Sequence, residues 1–76
     1  MAMITSAHVG SPRALPFVMA GFRYGATPHV SVQEDDGSER KPHIIEALGR
    51  TEDEAVAEAE KTLREWVGTF ERRNRK

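Results

Sequence analysis

Residues 51–73, TEDEAVAEAEKTLREWVGTFERR, decide the fold. Val56, Ala59, Leu63, Trp66, Val67 and Phe70 recur at steps of three and four, so they lie on one stripe of a helix with 3.6 residues per turn. Thr51 with Glu54 three residues later has the capping-box spacing, in which each side chain bonds the other's orphan backbone N–H. Glu52, Asp53 and Glu54 stand where the helix dipole favours negative charge, and Arg72 and Arg73 where it favours positive charge. The stretch predicts one amphipathic helix with one apolar face to bury. At 1.5 Å per residue its length is about 34 Å, longer than the strands it must cover, so its last turns should project with Phe70 and the arginines.

Working back from the helix, residues 41–48 (KPHIIEAL) read as a strand that returns through Gly49 and Arg50 to the helix start. Residues 35–40 (DDGSER) are a polar loop with an Asp-Gly turn signal. Before it, residues 29–34 (HVSVQE) alternate, with Val30 and Val32 inward and His29, Ser31 and Gln33 outward, as in a half-buried antiparallel strand. With a six-residue loop, Val32 should face His43, Val30 should face Ile45, and His29 should face Glu46. Residues 25–28 (GATP) read as a turn. Residues 15–24 (LPFVMAGFRY) read as one strand with Gly21 at a bulge, and Pro16 confines it to a sheet edge. Residues 1–13 have no apolar period and read as a flexible arm. The fold class is therefore α+β: a three-stranded antiparallel sheet with one long C-terminal helix packed on one face, order β-β-β-α, over residues 14–76.

The 76 residues suffice for one small core, with no cysteine to staple it or to serve as a thiol nucleophile. The net charge of −1 gives no general attraction to nucleic acid or membrane. The N-terminus lacks the basic and long apolar regions of a secretory signal, and the apolar run 14–22 is too short to span a bilayer. A cytoplasmic protein without a membrane anchor is expected.

Charge is unevenly distributed. Residues 51–60 hold five acids and no base, whereas 61–76 hold six bases and two acids. Pairs such as Glu60–Arg64, Lys61–Glu65 and Glu71–Arg75 absorb part of this at i,i+4 spacing. A basic end remains, and Arg64, Arg72, Arg73, Arg75 and Lys76, with Arg23, Arg40 and Lys41 on the hairpin, form the candidate set for phosphate contact. The three histidines have no metal-ligand spacing, the acids at 34–36 lack the spacing of a calcium loop, and the glycines form no phosphate-binding fingerprint. No catalytic group, metal or cofactor is indicated. One helix covers one face of a three-stranded sheet and leaves Phe17, Met19, Ile44 and Leu48 on the other. These four are the candidate partner-binding residues, and the expected partner is a second copy, through that face or by edge pairing.

One family resemblance is carried by residues 29–37 (HVSVQEDDG), the strand after them, and Ala47-Leu48-Gly49-Arg50-Thr51-Glu52-Asp53-Glu54-Ala55, with Ala59 and Leu63 beyond. Over about residues 29–67 the chain resembles the N-terminal fold of HicB-like antitoxins, in which a hairpin leads to a Gly-x-Thr-x-x-Glu-Ala helix start. HIIEAL here replaces that family's proline- and glycine-rich segment. The resemblance implies a non-enzymatic module that binds a protein partner, antitoxin fashion. The β-β-β-α order also resembles that part of double-stranded-RNA-binding domains, but three acids open this helix and would repel phosphate.

Overall fold

The computed structural model describes residues 2–74. Six strands precede one helix: β1 (Met3–Val9), β2 (Arg13–Met19), β3 (Phe22–Ala26), β4 (Pro28–Gln33), β5 (Glu39–Arg40), β6 (Ala47–Gly49) and α1 (Glu52–Asn74). They form two three-stranded antiparallel sheets, in the orders β1-β4-β5 and β2-β3-β6, rather than the single predicted sheet. The fold is mixed α+β.

The middle of both sheets is one nearly unbroken stretch. Tyr24, Ala26, Pro28, Val30 and Val32 occupy successive even positions and are buried or half-buried, and only Thr27 separates β3 from β4. The turn predicted at 25–28 is absent, because a continuous period-2 apolar face outweighs the local Gly and Pro signals. On one side of this stretch the outer strand is interrupted at 10–12, where the Gly10 amide donates to the Thr27 carbonyl at 2.9 Å. On the other side, pairing stops after Val32↔Arg40 and resumes only at Ala26↔Ala47. Two interruptions at the same level divide one ribbon into two sheets.

Three segments depart from the expectation. Residues 3–9 are a strand rather than an arm: β1 pairs with β4 from Met3↔Gln33 to Val9↔Pro28. A bulge between Ile4 and Ser6 lets Ile4 and Val9 both pack toward the core despite their odd separation. That bulge hides the strand's period, and the Thr5 hydroxyl at it donates to the Ser31 carbonyl at 3.2 Å. Residues 15–24 are a hairpin rather than one strand, with Met19 paired to Phe22 across Ala20 and Gly21. Positive φ at Ala20 (52°) and at Gly21 (85°) is what a two-residue type I′ hairpin turn requires. The predicted return strand at 41–48 is reduced to β5 and β6. Val32 therefore faces Arg40 instead of His43, and Val30 and His29 face Ala7 and His8 of β1 instead of Ile45 and Glu46. Pro42 contributes to the loss, since it has no N–H to extend the ladder.

The Asp-Gly turn forms as predicted. The Asp36 carboxylate accepts from the Ser38 hydroxyl at 2.6 Å and the Ser38 amide at 2.9 Å, which holds its pKa below the usual carboxylate value.

The helix begins where its sequence says. The Glu54 amide donates to the Thr51 hydroxyl at 3.1 Å. In return the Glu54 carboxylate accepts from the Arg50 amide at 3.2 Å. That is one residue before the position a regular capping box uses. α1 lies across both sheets, packing chiefly on β6, β3, β1 and β4. Its first half presents Ala55 and Ala59 to Ala26, and its second half presents Leu63, Trp66 and Phe70 to Val30, Val32 and Ile44. The last turns therefore do not project bare, since Phe70 packs on the second cluster. At the close end, a Cβ on Gly49 would overlap the backbone nitrogen of Ala55, so only glycine lets β6 meet the helix backbone there. No polar or charged side chain is buried among the described residues.

Candidate functional site

The candidate contact face does not assemble as the sequence suggested. Ile44 is 7% exposed and packs with Val30 and Val32, whereas its neighbour Ile45 is 78% exposed. Residues 41–46 are not in a strand, so the inward and outward positions fall one residue away from those of a regular ladder. Leu48 is half-buried on β6 opposite Gly25. Phe17 is exposed as expected, and the side chain of Met19 lies outside the described part. Among the described side chains, the buried Ile44 does not share an exposed patch with Phe17.

What the fold leaves open is the outer strand. β1 is the edge of one sheet and β2 the edge of the other, on the same side of the middle stretch. β1, MITSAHV, contains no Lys, Arg, Asp, Glu or Pro. Beyond it the hairpin from Ala14 to Phe22 is also uncharged, and at its far end Phe17 is 64% and Val18 57% exposed. Adjacent strand residues point to opposite faces, so the hairpin end is apolar on both.

The base of that hairpin is fixed by an ion pair. Arg13 donates from Nε to Glu46 Oε2 at 2.8 Å and from Nη2 to Oε1 at 3.0 Å. The Glu46 side chain reaches Arg13 by lying over Gly25, where an added Cβ would overlap Oε2. Because Arg13 pairs with Gly25 in register, the bridge passes over the middle strand and ties the edge strand β2 to the segment that leads into β6. Sequence reading did not find this pair, since no local spacing links positions so far apart in the chain.

Of the phosphate-contact set, Arg64, Arg72 and Arg73 are exposed on the helix, and Arg75 and Lys76 lie outside the described residues. Arg72 donates to the Thr69 hydroxyl at 3.2 Å, and Arg40 on β5 is paired to Glu34 at 2.6 Å. Arg40 and Arg73 also line a groove of about 580 Å³ with Trp66 and Phe70, whose rings stack at 5.4 Å and 11°. Glu65 lines the same groove, so its charge is mixed. Arg23 and Lys41 are exposed on β3 and in the 41–46 segment, away from a single stripe.

A second groove, of about 400 Å³, lies between β4 and residues 41–44 and is lined by His8, His29 and His43. His29 stands against His8 of β1 rather than against the return strand, with ring centroids 5.2 Å apart. Among the described residues no group of three metal-ligating side chains is placed to hold an ion, and no helix is long and apolar enough to cross a membrane. Set beside protein-family models, curated proteins and solved structures, the chain matches none of them.

Proposed function

We propose that this chain is a small non-enzymatic module that acts by protein–protein contact, first with a second copy of itself, through the open edge of β1. One observation carries the reading: β1 is a seven-residue edge strand with neither charge nor proline. Natural sheets blunt such edges with lysines, prolines, bulges or a covering element, because a bare row of N–H and C=O groups pairs with any strand it meets. The bulge at Thr5 is the one such device on β1. Two copies of β1 meeting antiparallel about a two-fold axis would join two three-stranded sheets into one continuous sheet, an isologous and closed contact. Phe17 and Val18 extend the apolar surface beyond it.

The test is mass in solution with edge variants. A dimer at high micromolar concentration is expected, and Ser6→Lys should return it to a monomer whose circular dichroism is unchanged. A wild-type monomer at that concentration would end the reading. The resemblance to HicB-like antitoxins adds a second class of partner, a different protein held by the same edge, as an antitoxin holds its target. Its support is the sequence at the helix start, Gly49, Thr51, Glu54 and Ala55 at the spacing of the Gly-x-Thr-x-x-Glu-Ala motif.

Nucleic-acid binding is the second reading, favoured by the stacked Trp66 and Phe70 that line one groove with Arg40 and Arg73. Stacking aromatics beside arginines suit unpaired bases. Such binding would fall steeply with added salt, and no binding in dilute buffer would dispose of it.

A further inference from the structure

All three histidines of the chain, which come from three different segments, line one groove. His8 on β1 and His29 on β4 are directly opposite in register, with ring centroids 5.2 Å apart and planes inclined by 30°. His43 approaches from the segment on the other side, together with Lys41. Thr27 and Ser31 supply hydroxyls, and Pro28, Val30, Pro42 and Ile44 the apolar remainder. Among the described residues no carboxylate lines the groove.

The groove exists because of the interruption in the fold. β5 leaves β4 after Arg40, and the chain returns to the middle stretch only at Ala47. Pro28 to Ser31 therefore have β1 on one side and the groove on the other.

The chemistry of this lining is one-sided. A neutral imidazole offers one N–H donor and one acceptor, and an imidazolium offers two donors and a positive charge. Histidine changes between these forms around pH 5–8. The charged and titratable groups facing the groove are His8 from β1, His29 from β4, and Lys41 and His43 from the 41–46 segment. All are cationic when protonated. A lining with several N–H and O–H donors and no carboxylate favours an anion over a cation. We propose that this groove binds the terminal phosphate of a small phosphomonoester, with the three histidines and Lys41 as its donors. A terminal phosphate presents three acceptor oxygens to donors arriving from several sides, whereas a diester in a chain presents two and needs a track along a surface. The second pKa of a phosphomonoester is about 6, so at neutral pH the terminal phosphate is largely a dianion facing these donors.

The experiment is an NMR titration of the full chain, following the histidine ring signals, with glycerol 3-phosphate as probe and inorganic phosphate and oligothymidylate as comparisons. Expected at neutral pH is a saturable shift of all three histidines by glycerol 3-phosphate, and less by oligothymidylate. His29→Gln and His43→Gln should each weaken binding several-fold, while Arg72→Ala, on the helix, should leave it unchanged. Since all three histidines are exposed, these variants should fold, which circular dichroism can check. The proposal is overturned by an absence of saturable shift, by an unaltered His43→Gln, or by preference for oligothymidylate. Histidine signals that respond to zinc but not to phosphate would overturn it equally.

Discussion

Ala20 holds φ at 52°. That is the left-handed region, which an ordinary side chain enters at a cost of about 1–2 kcal/mol. Asparagine tolerates that conformation, and Asn-Gly is the favoured pair for this turn. Ala20→Asn should therefore raise stability by about 0.5–1 kcal/mol, read from the urea midpoint; a loss of stability would mean the turn is of another type. Nothing in Ala-Gly announces such a turn, so residues 15–24 read as one strand. Two other glycines are equally opaque in the sequence. Gly25 is required by the side chain of Glu46 and Gly49 by the backbone of Ala55, and no local composition reveals either neighbour. Ile44 and Ile45 present the same problem side by side. One is core and the other surface, and their parity depends on a ladder that ends before it reaches them.

Among the elements, the helix is the most legible, because its cap, its apolar stripe and its charge gradient are all local. Thr51→Ala removes the 3.1 Å cap bond. The loss should cost about 1 kcal/mol in a denaturation curve. A neutral outcome would assign the helix start to Glu54 and the acidic first turn. β4 is legible too, its alternation matching its burial from Pro28 to Gln33. β1 is not. Its bulge breaks the period on which recognition rests, and its pairing partner lies far along the chain, beyond an intervening hairpin. β5 and β6 are too short to carry any period and exist only as partners of β4 and β3.

At the scale of the molecule, side-chain size along α1 sets how the helix sits. Ala55 and Ala59 let it approach β3 and β6 closely, while Leu63, Trp66 and Phe70 fill a wider gap over β4. Ala59→Leu should force the close end open and cost about 2 kcal/mol or more by chemical denaturation; a neutral result would mean the helix can tilt freely. The radius of gyration is 14.2 Å and the longest extent 42 Å. A compact chain of this length would have a radius of about 11 Å. Little core and much edge follow from that shape, which is why the candidate contact lies on an uncovered strand instead of in a deep cleft. The sequence alone determined a mixed α+β chain, its helix with its capped start, and the Val30–Val32 face, because each rests on residues within a few positions of one another. Only the tertiary structure decided that the sheet divides in two, that residues 3–9 form its edge, that Ile44 is buried, and that three histidines line one groove. Those features depend on pairings across the chain, where a one-residue slip reverses every facing and no local signal fixes the register.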